Sequence, residues 1–349
     1  MATSFSAATR FLVVNGVSHA GDVPPVSTLL ESLPGAYTTT RTHGNASLLL
    51  FWDRHLRRLS NSARILADHR PDLFGAPVEL SAIRPLVDES LQVGLGLALD
   101  ERGCRSRRTE AVDEVTELAV TALICGGGGS GSMAKLDVYL HIGFYVPPVF
   151  GAAGARLALA GRGRDVAEAK YSLWARIRKD MERMRPPMVT ELLLSNDGDR
   201  ILEGSVTNFF VVCKVDCDKA NDSTYNLKKT SSFVVQTAPV SDEVLPGVIR
   251  QLVIEVCSSL GIPLREVAPS WSDHQLWEES FITSGLRLVQ HVELVQAPTC
   301  KDFHLRSWNE VSWVTKKFEG VGLVTSQIQK AIIERMGSEG YLIGNIPCK

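Results

Sequence analysis

The residues with the most chemical potential lie between Lys170 and Phe210, KYSLWARIRKDMERMRPPMVTELLLSNDGDRILEGSVTNFF. A lysine amine is a nucleophile and a proton carrier, and a glutamate is a fixed negative charge or proton partner. Lys170 opens the stretch, Glu203 follows 33 residues later, and Asn208 comes next. Taken together, Lys170 and Glu203 suit the two reactive ends of one bound ring. Taken singly, a lysine before a helix is an ordinary solvated group. Glu203 could equally sit in a salt bridge with a nearby arginine such as Arg200.

The elements that must position this pair are legible around it. Tyr171 to Met184 has helical character, and Arg185-Pro186-Pro187 ends it because proline disfavours helix at the residue before it. Glu191–Ser195, the turn Asn196-Asp197-Gly198-Asp199, Arg200–Glu203 and Thr207–Val215 read as a β-meander. Leu245-Pro246-Gly247 launches a helix from Val248 to Leu260 with a regular apolar face, and Gly261 stops it. Phe281-Ile282-Thr283 is a short strand ended by Ser284-Gly285, and a last helix runs from about Val324 to Met336.

Upstream, Phe11–Val14 is a strand closed by Asn15-Gly16. Gly35–Arg41 and Ser47–Trp52 form a hairpin around His43-Gly44-Asn45, and Asp53 caps the next helix, apolar at Leu56, Leu59, Ala63 and Leu66. A second helix spans Leu80–Leu95, capped by Ser81 with Pro85 near its first turn. Val115–Cys125 and Leu136–Phe144 are strands joined across Gly126–Gly131. That glycine run is not a phosphate loop, because Gly131 is followed by Ser132 and Met133 rather than by lysine and a hydroxyl residue. The polar stretch Asp216–Ser232 reads as an exposed insertion, and the Gly/Ala-rich Val149–Arg164 as the junction of two domains, 1–150 and 151–349.

Composition narrows the function classes. The chain has 349 residues, 44% hydrophobic and 22% charged, with a net charge of −2, an ordinary balance with room for a sizeable core. Such a charge makes no electrostatic case for nucleic acid or an acidic membrane, and no apolar run approaches the ~20 residues of a membrane span. The seven cysteines are scattered and form no CxxC pair, so neither a disulfide framework nor a metal site is expected. The opening MATSFSAATR is rich in Ser, Thr and Ala and hints at an organelle such as the chloroplast, but the strand at Phe11 leaves little room for a presequence, which favours the cytoplasm.

Four segments in a fixed order give the chain a family likeness: Tyr37-Thr38-Thr39-Thr40-Arg41 through His55-Leu56-Arg57-Arg58-Leu59; Lys170, then Glu203-Gly204 and Asn208-Phe209; Leu245-Pro246-Gly247-Val248-Ile249-Arg250; and Phe281-Ile282-Thr283-Ser284-Gly285. In these the chain, from about Phe11 to Met336, resembles the class IV (fold type IV) pyridoxal-phosphate enzymes, which include branched-chain aminotransferase, D-amino-acid aminotransferase and aminodeoxychorismate lyase. The resemblance implies an α+β fold with a smaller N-terminal α/β domain and a larger C-terminal β-barrel-like domain with helices, and a homodimer acting on a small amino substrate. It implies pyridoxal 5'-phosphate as cofactor. Lys170 would form the Schiff base and later serve as base and acid, and Glu203 would face the pyridine nitrogen. The phosphate would meet the helix start at Val248 and Ile249, Arg58 (with Arg57 as the substitute), and Thr283 and Ser284. Asn208 would support the Glu203 strand.

The reaction is less legible. The aminotransferases resembled carry a tyrosine five residues beyond the lysine, where this chain has Ala175. The spacing from Lys170 to Glu191 and the Thr-rich run look more like aminodeoxychorismate lyase, which releases pyruvate and leaves p-aminobenzoate, with Thr38 or Thr39 as helper. Amino transfer by a D-amino-acid or branched-chain enzyme is the alternative, and a catalytically silent ligand-binding relative is a third. Leu33-Pro34-Gly35 replaces the family's Gly-Asp-Gly, and Trp174, Arg176, Arg178 and Lys179 crowd the helix after Lys170. These departures bear on the substrate pocket.

Overall fold

A computed structural model describes residues 10–74, 78–108, 116–126, 136–214, 233–299 and 308–345. Its contacts divide the chain into two compact units. The first comprises Met1–Pro147, Ala169–Arg176 and Ser338–Lys349, and the second Pro148–Glu168 and Ile177–Gly337. The sequence-based boundary at 150/151 put Lys170 in the second domain, whereas its segment, Ala169–Arg176, clusters with the first unit.

In the first unit the elements are β1 (Arg10–Val14), β2 (Val17–Ser18), α1 (Val26–Ser32), β3 (Ala36–His43), β4 (Leu48–Leu49), α2 (Trp52–His69), α3 (Pro71–Phe74), α4 (Leu80–Arg108), β5 (Glu117–Gly126) and β6 (Leu136–Tyr145). With the short strand Tyr341–Leu342 at its edge, an antiparallel sheet runs in the order Tyr341–Leu342, β4, β3, β5, β6, β1, β2. β5 is buried on both faces, as its apolar run requires: Leu118, Val120, Ala122, Leu123 and Ile124 are inaccessible to solvent. α2 packs on β3, and α4 on β1 and β6. On α2, Leu56, Leu59, Ala63 and Leu66 are buried as their spacing predicts. Each leucine there contributes roughly 1.5–3 kcal/mol.

Three local expectations change here. The strand read over Ser47–Trp52 is only Leu48–Leu49, because Phe51 takes a left-handed backbone (φ 50°) and turns the chain straight into α2 at Trp52. That conformation costs about 1–2 kcal/mol in a non-glycine residue, offset by full burial of the Phe51 ring. Asp53 is therefore a first-turn residue rather than the cap, and it pairs with Arg84 at 2.7 Å. α4 starts at Leu80, so Ser81 lies inside it, and it runs well past Leu95. Of Gly126–Gly131 only Gly126 is described, at the end of β5; 127–131, like 216–232, lie outside the described residues.

In the second unit follow β7 (Ala155–Gly161), β8 (Glu191–Leu194), β9 (Glu203–Gly204), β10 (Asn208–Lys214), β11 (Phe233–Thr237), α6 (Val248–Leu260), β12 (Leu264–Glu266), β13 (Trp277–Ser284), β14 (Leu288–Pro298), β15 (Trp313–Lys317) and α7 (Leu323–Glu339). α5 (Trp174–Glu182) belongs to the first unit up to Arg176 and to the second from Ile177. The sheet order is β12, β11, β10, β13, β14, β7, β8, β9, with β15 also on β14. β9 contacts β10, so the sheet curls back on itself around a core that includes Leu157, Leu193, Phe209, Val211, Ile282 and Val292. The expected meander is thus corrected. β9 pairs with β8, but β10 pairs with β11 and β13. The cause is the 204–207 turn, which takes the chain off the β8–β9 ladder. α6 matches its expected span, with Gly261 left-handed at φ 67°.

Among the described residues no helix is long and apolar enough to cross a membrane, and no cluster of three His, Cys, Asp or Glu side chains is placed to hold a metal.

Candidate active site

In the first unit, Lys170 is held by its backbone. Its N–H donates to Ser62 Oγ on α2 (3.1 Å) and its carbonyl accepts from Tyr37 N–H on β3 (2.9 Å). Tyr171 then bridges Ala36, Ser172 N–H donates to the Gly35 carbonyl, and Ser172 Oγ donates to the Leu33 carbonyl. The segment therefore docks as an extra edge on β3, and α5 begins only at Trp174, not at Tyr171. Gly35 is needed there, since a Cβ would fall 2.2 Å from the Ile124 carbonyl oxygen. The Lys170 ammonium lies 4.7 Å from the centre of the Tyr37 ring, close enough for a cation–π attraction of about 0.5–1 kcal/mol or more.

The two threonines separate at once, because successive strand residues face opposite ways. Thr39 pairs directly with Thr121 on β5, Oγ1 to Oγ1 3.0 Å, on the Tyr37 side of β3. Thr38 is buried on the α2 side, where its Oγ1 lies 2.8 Å from His55 Nδ1 and accepts from Arg58 Nη2 at 2.7 Å. His55 is buried; desolvation first, then the charges of Arg58 and Lys170, hold its pKa well below the ordinary value. Arg57 is exposed. Ala175, the position five beyond the lysine, is a buried methyl in an apolar cluster with Tyr37, Leu12, Leu29 and Leu123.

In the second unit Glu203 is almost wholly buried. Its partner is not Arg200, which pairs with Asp197 at 2.8 Å, but Arg164. The Arg164 Nε donates to Glu203 Oε1 at 2.8 Å, and Nη2 donates to the same oxygen. Leu245 N–H donates to Oε2 at 3.1 Å. Asn208 donates to the Leu245 carbonyl at 2.9 Å, and its Oδ1 leaves no room for a side chain at Gly247, where a Cβ would stand 2.1 Å away. Asn208 thereby ties Glu203, β10 and the start of α6 together. No side chain caps that helix start, at Gly247, and Val248 and Ile249 follow, both buried. Thr283 pairs with Asn208 across β10 and β13, and its buried Oγ1 has no hydrogen-bond partner. Ser284 Oγ accepts from Arg287 N–H at 3.1 Å.

The unit thus brings Glu203, Val248, Ile249, Thr283 and Ser284 to one end of its sheet. An uncapped helix start beside an orphaned buried hydroxyl fits a bound anion such as a phosphate. A buried carboxylate bonded by a guanidinium fits a cationic ring nitrogen.

Ser62 and Arg164 escaped the sequence reading, and His55 and Glu191 stood there only as marks of a motif and a spacing; the buried Glu191 accepts from Val206 N–H and Thr207 Oγ1 (2.8 Å each) and from Arg287 (2.6 Å). His55 and Ser62 fall on the Arg58 face of α2 at helical spacing, a usable signal. Arg164 and Arg287 carry none, since their partners are remote in sequence.

Residues 166–295, which hold Lys170, Glu203, α6 and Thr283, match the family model described as amino-transferase class IV. A comparison with curated proteins gives no match. Among solved structures, the branched-chain aminotransferase of the archaeon Thermoproteus uzoniensis superposes with a TM-score of 0.60 at 16% identity, covering 95% of this chain and 99% of that one. The branched-chain amino acid aminotransferase of Escherichia coli gives 0.56 at 16%, covering 94% of each chain. A fold IV transaminase from Curtobacterium pusillum gives 0.58 at 16%, covering 93% and 99%. At these identities the likeness establishes the fold.

Proposed function

We propose that this chain, whose residues 166–295 match the class IV aminotransferase model, is a pyridoxal-phosphate-dependent enzyme of that family acting on a small amino compound, and that its first activity is a lyase reaction of the aminodeoxychorismate type. When bound, the cofactor supplies an aldehyde that takes up amines and a ring that draws electrons from the substrate carbon. Lys170 would hold the cofactor through its amine and, as the free base, would move the proton at the substrate carbon. Its backbone clamp to Ser62 and Tyr37 fixes the point from which the side chain extends. Glu203 would face the ring nitrogen, and Arg164 orients its carboxylate. In the second unit the first N–H groups of α6, Thr283 and Ser284 would hold the phosphate, and in the first unit Arg58 is the residue that would add a positive charge for it.

The observation that carries the lyase reading is Ala175. Its methyl lies in an apolar cluster, so no phenol stands five residues past the lysine, while β3 presents the Thr39 hydroxyl on the Tyr37 side. Thr39 is the proposed helper of the elimination. Amino transfer is the second reading, favoured by the branched-chain aminotransferases that share the fold.

Purified protein given pyridoxal phosphate should show the visible band of a lysine-bound cofactor, lost in Lys170→Ala. Pyruvate release from aminodeoxychorismate is then compared with amino transfer from D-alanine and from branched-chain amino acids. Release of pyruvate alone supports the lyase; amino transfer alone overturns it in favour of the second reading. A band without any of these activities leaves a cofactor-binding relative that is catalytically silent toward them. The enzyme is proposed to act as a homodimer, which a monomeric mass in solution would contradict.

A further inference from the structure

We propose that Thr38 and His55 are positioning residues for Arg58, a hydroxyl–imidazole relay that aims the guanidinium at the cofactor phosphate and takes no part in the chemistry at the substrate carbon. This rests on the reading that Arg58 meets that phosphate. The chemistry of the guanidinium sets the direction of its own bond in the relay. Arg58 Nη2 can only donate, and it lies 2.7 Å from Thr38 Oγ1 and 3.5 Å from His55 Nδ1. Thr38 Oγ1 therefore spends a lone pair on Arg58, and in the proposed relay its own proton goes to His55 Nδ1 at 2.8 Å. In the proposed relay His55 is neutral, with Nδ1 accepting and the proton on Nε2. That state agrees with its complete burial beside two cations, Arg58 and Lys170.

The relay also explains why β3 places two threonines side by side. Strand alternation turns Thr38 toward α2 and Thr39 away from it, so the pair divides into one residue that positions the cofactor arm and one on the side of Tyr37. α2 serves both tasks of the unit on one stripe: His55 and Arg58 are one turn apart, and Ser62, the next turn on, receives the Lys170 N–H.

The test measures affinity of the full chain for pyridoxal phosphate and for pyridoxal, which lacks the phosphate, by titration of the visible band. Thr38→Val keeps the shape and removes the hydroxyl. It should weaken pyridoxal phosphate binding about tenfold or more, the scale of a hydrogen bond to a charged group, while pyridoxal affinity changes less than about twofold. Thr38→Ser should restore binding. His55→Gln, which removes the acceptor at the Nδ1 position, should reproduce the selective loss, and His55→Asn, whose Oδ1 occupies that position, should not. Arg58→Gln should show the same selectivity, with Thr38→Val adding little on top of it. Equal losses for both ligands, or none, in Thr38→Val and His55→Gln would overturn the relay; if Thr38→Val fails to fold, His55→Gln and His55→Asn decide alone. A wild-type chain that prefers pyridoxal phosphate no more than pyridoxal, or an Arg58→Gln variant that keeps the preference, would overturn the phosphate reading itself and the relay with it.

Discussion

Arg164→Met is the sharpest perturbation available in the second unit. The Arg164 and Glu203 side chains are 7% and 3% exposed, so neither reaches solvent to replace a lost partner. Removing the guanidinium takes two donors from Glu203 Oε1, while Leu245 N–H and the distant Asn208 amide at 3.5 Å serve only the other oxygen. Breaking a buried pair by deleting one member costs about 3–5 kcal/mol, because an uncompensated charge stays buried. For a folding unit of this size each kcal/mol is worth about 2–4 °C, so the unfolding midpoint should fall by roughly 6–20 °C. Urea unfolding at pH 7 and calorimetry measure the loss. The double variant Arg164→Met/Glu203→Gln should recover part of it, since the neutral amide costs less to bury than the charge. A single-variant loss under about 1 kcal/mol, or a double variant less stable than Arg164→Met, would refute the claim that this pair is a desolvated unit.

Other outcomes follow from the same geometry. His55 has a folded pKa held below its unfolded value near 6.5, so the stability it contributes is present above about pH 6.5 and is lost as pH falls toward its folded pKa. Unfolding free energies measured between pH 7.5 and 5 should decline by up to about 1.4 kcal/mol per pH unit from this group, and His55→Gln should flatten that slope. Gly247→Ala should cost about 1–3 kcal/mol and weaken cofactor binding, because its Cβ would meet Asn208 Oδ1; unchanged urea midpoints would count against it. Burial pushes the Cys213 and Cys257 thiols up to about 12, so iodoacetamide at pH 8 should modify exposed Cys104 and spare these two, as read by peptide mapping.

The local signals in the chain were strong where one element speaks for itself. The Leu245-Pro246-Gly247 helix start, the Gly261 stop and the apolar stripe of α2 are local patterns, and each appears where its spacing predicts. Signals failed where a distant contact overrode local preference. Phe51 enters a left-handed turn only because its ring is buried, which shortens β4 and displaces Asp53 from the cap. The meander failed because the 204–207 turn, bound by Glu191, sends β10 to β13 and β11 instead of β9.

By itself the sequence determined the order of the chemical groups: a lysine, a glutamate beyond a hairpin turn, an uncapped helix start and a Thr-Ser strand end, because each is written in neighbouring residues. Tertiary structure alone decided their partners. Glu203 is neutralised by Arg164 from another strand's end, the Lys170 segment is clamped by Ser62 and Tyr37, and Thr38 turns to Arg58 while its neighbour Thr39 does not. Burial makes such pairings necessary, since a charge or hydroxyl removed from water must find a partner, and only the packed chain brings one within about 3 Å.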